Sequence, residues 1–330
     1  MGHNVAILGA TGAVGNEFLQ LLEERAFPVD SLKLLASARS KGTQLEFCGT
    51  KIKVEEISRS SFKGIDIVLS SANKTISKEY LPSAVSAGAV SVDNTSYFRM
   101  DPHVPLVVPE VNPHTIKTHQ GIIANPNCST ILMAVPLFPL HKAFGIERVF
   151  AATYQAASGA GKKAMEELME ETMAYLKGEA YERTVIPHQY AFNLFIHNSN
   201  LRNDDYVEEE MKMIIETRKI LEEPELRINA TCVRVPIPRT HAEALNIEFS
   251  QDVSPQQAYE VLSKSPGIEI LEDREHNRWP MPIDASGKDL VFVGRIRKDI
   301  SQANTLDLWL VGDQIRKGAA LNAVQIAEQL

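Results

Sequence analysis

Cysteine is scarce in this chain: 330 residues hold three, Cys48, Cys128 and Cys232. An odd, sparse set without a CxxC pair excludes a disulfide framework and fits a reducing, cytoplasmic compartment. No apolar run approaches the roughly 18 residues needed to cross a bilayer. The start, MGHNVAILGATG, lacks the basic region of a secretory leader, and its apolar run is only strand-length, so no targeting segment is expected. The nine histidines include no HExxH and no other close ligand spacing, so no metal site is expected. No Lys/Arg-rich block occurs and the net charge is −8. That balance argues against nucleic acid and anionic membrane as partners, though a few local arginines can still dominate one pocket. There is no internal repeat and no low-complexity segment.

What is present reads as an ordinary globular composition, long enough for about two domains. The first half alternates short apolar runs with amphipathic ones. NVAIL (4–8), LKLLA (32–36), DIVLSSA (66–72), AVSVD (89–93) and GIIA (121–124) read as buried strands. Between them, GNEFLQLLEER (15–25) places Phe18, Leu21 and Leu22 on one helical face, and SKEYLPSAVSAG has helical spacing up to a stop at Gly88. Strand and helix in alternation predict an α/β domain, a parallel sheet with helices on both faces. After Cys128 the texture changes. A strand at 148–156 leads into a helix with Met165, Leu168, Met169, Met173 and Leu176 on one stripe. A second helix is expected from Asp204 or Asp205 to about Leu221. Strand-like runs at 227–238, 243–250, 290–298 and 305–312 follow without helical crossovers, predicting an α+β domain with a mostly antiparallel sheet. The tail is expected to form a helix capped by Asp313.

GATGAVG (9–15) joins the first strand to the first helix with G-x-x-G-x-x-G spacing. Glycines there permit a tight turn and close approach to a pyrophosphate, and the helix N-terminus supplies N–H donors and positive dipole. A plain strand-to-helix turn is the alternative. NAD sites usually place an acid after the second strand; here the slot offers Arg39 and Ser40, with Lys41 next, which suits a 2′-phosphate and predicts NADP(H).

NPNCST (125–130) places Cys128 at the mouth of a helix, where dipole and N–H groups favour the thiolate. The residue reads equally as a covalent nucleophile or as a small packing residue. Cys48 and Cys232 lie inside strand-like runs and read as packing residues. His241, in RVPIPRTHAEAL, follows a proline-punctuated strand end, and its spacing alone gives an exposed loop histidine. Glu209 and Lys212 read as a solvated i,i+3 pair. Arg99, in DNTSYFRM, is a lone cation in a loop.

Together GATGAVG, DNTSYFRM, VPLVVPEVN, NPNCST, QAASGAGKKAMEEL, EEMK, CVRVPIPRTHAEA, FVGRIRKD and KGAALNAVQIAEQL resemble the aspartate-β-semialdehyde dehydrogenase family over nearly the whole chain. The resemblance implies a Rossmann-type NADP-binding domain, residues 1–127, completed by the C-terminal helix 313–330. It implies a catalytic and dimerisation domain at 128–312, and a homodimer. The implied reaction is NADPH-dependent reductive dephosphorylation of L-aspartyl 4-phosphate to L-aspartate 4-semialdehyde, the shared step toward lysine (through diaminopimelate), methionine, threonine and isoleucine. By resemblance, Cys128 carries the acyl group, His241 is the acid/base and Gln155 orients the intermediate. Arg234 grips the α-carboxylate, Glu209 takes the α-amino group and Asn127 lies beside the nucleophile. Arg99 and Lys212 bind phosphate. Gly9, Thr11, Gly12, Ala13, Val14, Arg39, Ser40, Ser158, Gly159 and Asn322 contact the cofactor. Arg239, in a segment that departs from relatives, is left as a surface charge. N-acetyl-γ-glutamyl-phosphate reductase is the nearest rival, disfavoured by Glu209, since an acetylated amine needs no carboxylate. A catalytically inactive NADP-binding scaffold is the other.

Overall fold

The structure, a computed structural model, describes residues 2–330. It divides into two compact units, residues 2–127 with 319–330, and residues 128–318. The first turn of the tail, 313–318, therefore counts with the second unit.

The first unit contains β1 (His3–Leu8), α1 (Ala13–Glu24), β2 (Val29–Ala36), a hairpin of β3 (Gln44–Phe47) and β4 (Thr50–Lys53), β5 (Glu55–Glu56), β6 (Ile67–Ser70), α2 (Lys74–Ser86), β7 (Val90–Asp93) and β8 (Ile122–Ala124). Its main sheet runs β5-β2-β1-β6-β7-β8 with every pair parallel. Parallel strands buried on both faces need continuous apolar runs, which is why VAIL and IVL carry no polar alternation. One face packs on Phe18, Leu21 and Leu22 of α1 and on Val324 and Ile326 of the chain's last helix; the other packs on Leu81 and Ala84 of α2. The hairpin and β5 have no strong apolar run and were not legible in the sequence.

The second unit contains α3 (Cys128–Phe144), β9 (Ile146–Gln155), α4 (Lys162–Lys177), β10 (Phe195–Ile196), α5 (Glu208–Leu221), β11 (Arg227–Arg234), β12 (His241–Phe249), α6 (Pro255–Leu262), β13 (Ile268–Ile270), α7 (Pro282–Ala285), β14 (Val291–Lys298) and β15 (Thr305–Gly312). Its sheet runs β10-β11-β9-β12-β15-β14-β13. Two neighbouring pairs, β9 with β11 and β13 with β14, are parallel, so the sheet is mixed with the antiparallel pairs in the majority. α3 is apolar on all sides over its first two and a half turns and is buried from Ser129 to Leu137, as a central helix should be. Asp313 caps the tail as expected, its Oδ1 accepting from the N–H groups of Ile315 (2.9 Å) and Arg316 (3.2 Å). The helix then passes through a π-helical turn, Arg316–Ala320, into α8 (Leu321–Ala327) of the first unit.

Two helices depart from their expected faces or ends. On α4, Met169, Met173 and Leu176 are exposed, while Glu167 and Glu171 are buried beside Ala164 and Leu168. The glutamates serve the chain that follows. Glu167 accepts from the N–H groups of Thr184 (2.6 Å), Ile186 (2.7 Å) and Val185 (2.9 Å), and Glu171 from those of Tyr190 (2.7 Å) and Ala191 (2.9 Å). Burial pulls the Glu167 pKa up, but the three N–H donors outweigh it and hold the carboxyl below its ordinary value. This segment packs Ile186 and Tyr190 against Ala157, just beyond the end of β9, so it braces the site described below. Glu167→Ala should lower stability by about 2–4 kcal/mol, since each orphaned buried N–H costs roughly 1–3 kcal/mol less what water restores. Urea unfolding checks this, and no measurable loss would contradict it.

α5 begins at Glu208, not at Asp204 or Asp205. Its start is fixed instead by Glu210, which accepts from the Val207 N–H (3.0 Å), and by Ser199, whose hydroxyl accepts from the Glu209 N–H (3.1 Å).

Candidate active site

Three adjacent strands of the second unit end together. Arg234 on β11 pairs in register with Gln155 on β9. Tyr154 pairs with Ala242 on β12, which sets His241 beside Gln155 on the same row, and His241 is opposite Gly312 on β15. Alternation turns Arg234, Gln155 and His241 inward, and all three are buried. α3 lies over this face: a side chain at Gly312 would collide with Leu132, one helical turn beyond Cys128. At the head of α3, a Cβ at Gly318 would lie 3.1 Å from that of Cys128. Cys128 itself is partly exposed.

α5 lays a carboxylate against this row. Glu209 Oε1 accepts from Gln155 Nε2 at 3.1 Å and Oε2 from Lys212 Nζ at 3.0 Å, with His197 Nε2 4.0 Å from Oε1. Glu209 is only 4 % exposed. The i,i+3 pair thus exists, but it is not a solvated surface pair. Apolar periodicity misses this because it reports which face is greasy, not which polar residues a neighbouring strand covers. With Arg234 and Lys212 against Glu209, the row carries two cationic groups and one anionic group, the complement of a ligand with two anionic groups and one ammonium. Burial, and secondarily Arg234 and Lys212, push His197 down to about 4 against the opposing pull of Glu209, so it is neutral near pH 7.

The loop before His241 is held tightly. Arg239 Nε donates to Asp313 Oδ2 at 2.7 Å, and the Thr240 N–H donates to Gln314 Oε1 at 2.8 Å. Asp313 is fully buried, so Arg239 is an anchor of the histidine loop and not a surface charge. Thr240 adopts φ +84°, a conformation a β-branched residue rarely takes, and the two anchors maintain it. Gln314 also donates to the Ser158 hydroxyl, tying this loop to the turn after β9. The His241 ring accepts the Ala156 N–H at Nδ1, 3.0 Å away. Burial first, and then Arg234 and His197, hold His241 well below its ordinary pKa against the pull of Glu209.

Glycine at 159 is required by this geometry. A Cβ there would lie 2.8 Å from Arg234 Nη1 and 3.1 Å from both Cε1 and Nε2 of His241. The gap beside Gly159 therefore borders both side chains.

A second polar row lies behind the first. Cys232, Thr153 and Glu243 pair in register across β11, β9 and β12, all fully buried. The Thr153 hydroxyl donates to Gln155 Oε1 at 3.3 Å, which turns the Gln155 amide nitrogen toward Glu209. Burial pushes the Cys232 thiol up, so Cys232 is an inert packing residue. Burial alone raises Glu243 well above its ordinary value, and its carboxyl oxygens have no hydrogen-bond partner among the described residues. The unfolded chain ionises this group near pH 4.5 and the folded chain much later, so its contribution is complete below pH 4.5 and lost as pH rises toward the folded pKa. Glu243→Gln should therefore raise the melting temperature at pH 8 and lose that advantage near pH 4. A gain independent of pH would contradict the account.

The first unit carries the glycine turn. Gly9 sits at φ +87°, and a Cβ on Gly15 would collide with the Gly9 carbonyl and approach Ala10 Cα to 2.8 Å. α1 begins after Gly12 with no side-chain cap, so its first N–H groups, at Ala13 and Val14, are not used by a capping side chain. This is a cradle that fits a dinucleotide pyrophosphate. Beyond β2, Arg39 is exposed and Ser40 is 3.2 Å from Thr11, hydroxyl to hydroxyl, whereas Lys41 pairs with Glu56. Elsewhere in this unit, Arg99 donates to the carbonyls of Asn94 (2.7 Å) and Asn125 (2.9 Å), and Asn127 is buried. Asn322 on α8 donates to Val107 O (2.9 Å) and Asn125 Oδ1 (2.7 Å), which ties the tail into this unit.

Residues 4–119 match the family described as semialdehyde dehydrogenase, NAD binding domain, and residues 137–317 match semialdehyde dehydrogenase, dimerisation domain. The aspartate-semialdehyde dehydrogenase of Synechocystis sp. is 56% identical over 99% of this chain and 96% of its own. The chain belongs to the aspartate-semialdehyde dehydrogenase family. A crystal structure of aspartate semialdehyde dehydrogenase II from Vibrio cholerae, complexed with ASA, superposes with TM-score 0.97 at 46% identity, covering 100% of this chain and 98% of that one. The Candida albicans aspartate semialdehyde dehydrogenase with NADP gives 0.76 at 26% identity, covering 100% and 98%.

For a member of the aspartate-semialdehyde dehydrogenase family, the second unit brings together Gln155, Glu209, Lys212, Arg234 and His241, with Ser158 and Gly159 at the same turn. The first unit carries Arg99, Asn127, Asn322 and the cofactor turn. Sequence reasoning missed His197, Arg239 and Thr153. His197 lies in a loop-rich section with no periodicity to place it. Thr153 was legible in principle, two residues before Gln155 and therefore on the same face of its strand.

Proposed function

We propose that this chain interconverts L-aspartyl 4-phosphate and L-aspartate 4-semialdehyde with NADP(H) and phosphate. The observation that carries this reading is the Gln155–Glu209–Lys212 cluster beside Arg234 and His241, in a chain 56% identical to a Synechocystis protein of that name. Arg234 forks onto the substrate α-carboxylate. Glu209 exchanges its bonds to Gln155 and Lys212 for the α-ammonium, and Lys212, so released, binds the phosphoryl group. Cys128 attacks the acyl carbon, the C–S bond forms and phosphate leaves, with Asn127 beside the sulfur. Gln155 orients the thioester, and His241 manages charge and proton at the reacting carbonyl. When bound, the nicotinamide supplies the hydride that reduces this acyl group. The Gly9–Val14 turn, Ser158, Gly159 and Asn322 bind and orient the cofactor, and Arg39 with Ser40 takes its 2′-phosphate.

Glu209 favours this reading over an N-acetylated substrate, whose amide bears no charge. The test is formation of NADPH from aspartate semialdehyde, NADP⁺ and phosphate. Phosphate-dependent formation supports the reading, and turnover of N-acetylglutamate semialdehyde alone would replace it with the rival. Arg39→Ala should weaken NADP⁺ binding about 10–100-fold in a fluorescence titration and leave NAD⁺ nearly unchanged. Equal losses for both would assign Arg39 another role. The homodimer is proposed to form on the outer face of the second unit's sheet, where Tyr154 and Trp309 stand partly exposed with ring centroids 5.4 Å apart. Sedimentation of Trp309→Arg as a monomer would support that placement.

A further inference from the structure

We propose that His197, Asn198 and Ser199 are positioning residues for substrate specificity. They hold Glu209 and Arg234 at the spacing of an α-ammonium and an α-carboxylate, and so make the amine a condition of efficient turnover. This deepens the reading above and rests on it.

Arg234 and Glu209 come from different elements, β11 and α5. An α-amino acid carries both charges on one carbon, so the two residues must be correctly spaced at the same time. Three consecutive side chains reach them. Asn198 Oδ1 accepts from Arg234 Nε at 3.4 Å. The Ser199 hydroxyl accepts from the Glu209 N–H at 3.1 Å. His197 Nε2 lies 4.0 Å from Glu209 Oε1.

The segment is pinned at both ends. Before it, Phe195 and Ile196 of β10 pair with Arg234 and Val233, and the His197 N–H donates to the Cys232 carbonyl at 2.8 Å. After it, the Glu208 N–H donates to the Asn200 carbonyl at 2.9 Å, and Leu201 bridges Val207 just ahead of α5. The strap therefore ties the end of β11 to the start of α5.

Its hydrogen bonds also fix the proton on His197. The Ser199 N–H donates to Nδ1 at 3.2 Å, so Nδ1 presents a lone pair and the neutral ring carries its proton on Nε2. Ser199 Oγ accepts from Glu209 and lies 3.1 Å from the same Nδ1, to which it donates its own proton. Glu209 thus faces an N–H from an uncharged ring near pH 7. It keeps its negative charge for a ligand ammonium.

Aspartate semialdehyde presents both charges. Succinate semialdehyde is the same molecule with hydrogen in place of the amine, and it offers only the carboxylate. Discrimination between the two reads the placement of Glu209, whereas binding of either reads Arg234.

The test measures kcat/KM for both semialdehydes with NADP⁺ and phosphate. The wild type should prefer aspartate semialdehyde by at least about 100-fold. Turnover of neither would overturn the proposed reaction and this inference with it. Ser199→Ala should cut the preference roughly 10–100-fold, with succinate semialdehyde changed less than about threefold. Ser199→Thr keeps the hydroxyl and should restore most of the preference. Asn198→Ala should raise KM for both semialdehydes about 3–10-fold in equal measure, since both carry the carboxylate. His197→Phe removes the acceptor for Ser199 and the N–H facing Glu209, and should lower the same preference, so the test does not depend on one variant folding. A wild type that discriminates, with equal losses on the two substrates in Ser199→Ala and His197→Phe, would overturn the strap while leaving the reaction standing. A changed preference in Asn198→Ala would also contradict it.

Discussion

Cys128→Ala is expected to lower phosphate-dependent NADPH formation by at least about 10⁴-fold, the scale on which covalent catalysis fails without its nucleophile. The reason is positional. Cys128 is the first residue of α3, an apolar helix buried from Ser129 to Leu137. The sheet fixes that helix in turn: Leu132 abuts Gly312, which pairs with His241. The sulfur is therefore carried to the end of the strands that bear Gln155, Arg234 and His241. Alanine is a good helix former and fits beside Gly318, so the melting temperature should barely move. Residual activity above about 1%, with an intact fold, would mean that hydride reaches an acyl group not carried on this sulfur.

Arg234→Leu is expected to reduce kcat/KM for aspartate semialdehyde by roughly 10²–10³-fold, mostly through KM, as loss of one partner from a buried charged contact does. Arg234→Lys should recover only part of this. The guanidinium uses Nη1 on the Ala156 carbonyl at 3.0 Å and Nε toward Asn198 at 3.4 Å. A lysine ammonium has no planar fork to keep those contacts while presenting two parallel donors to a carboxylate. The KM for phosphate should change much less. A larger effect on phosphate than on the semialdehyde would place the phosphoryl group, not the α-carboxylate, at Arg234.

The parallel sheet of the first unit was readable because doubly buried strands leave continuous apolar runs bounded by glycine turns. The hairpin at 44–53 was not, since Gln44, Glu46, Lys51 and Lys53 alternate on an exposed pair too short to stand out from a loop. In the second unit the strands were readable as strand-like runs, but no local pattern states that β11 runs parallel to β9. That pairing is what sets Arg234 beside Gln155. The polar site was harder still. Glu209 and Lys212 have the spacing of any solvated helical pair, and only the covering of α5 by β11 and the 197–199 segment buries Glu209. Arg239 and Asp313 are separated by four strands, β12 to β15, so an ion pair between them has no sequence signature. Cys128 was visible as a candidate because a thiol at a helix start is chemically unusual wherever it occurs. Motif resemblance supplied the roles that periodicity could not.

The central claim is that the acyl group of aspartyl phosphate passes onto Cys128. Mixing the protein with aspartyl phosphate in the absence of cofactor, quenching in acid and measuring the intact mass tests it most directly. The expected result is one aspartyl adduct per chain, located to the peptide containing Cys128, removed by hydroxylamine and absent from Cys128→Ser. No adduct from an enzyme that turns over normally when cofactor is added, or an adduct on another residue, would contradict it.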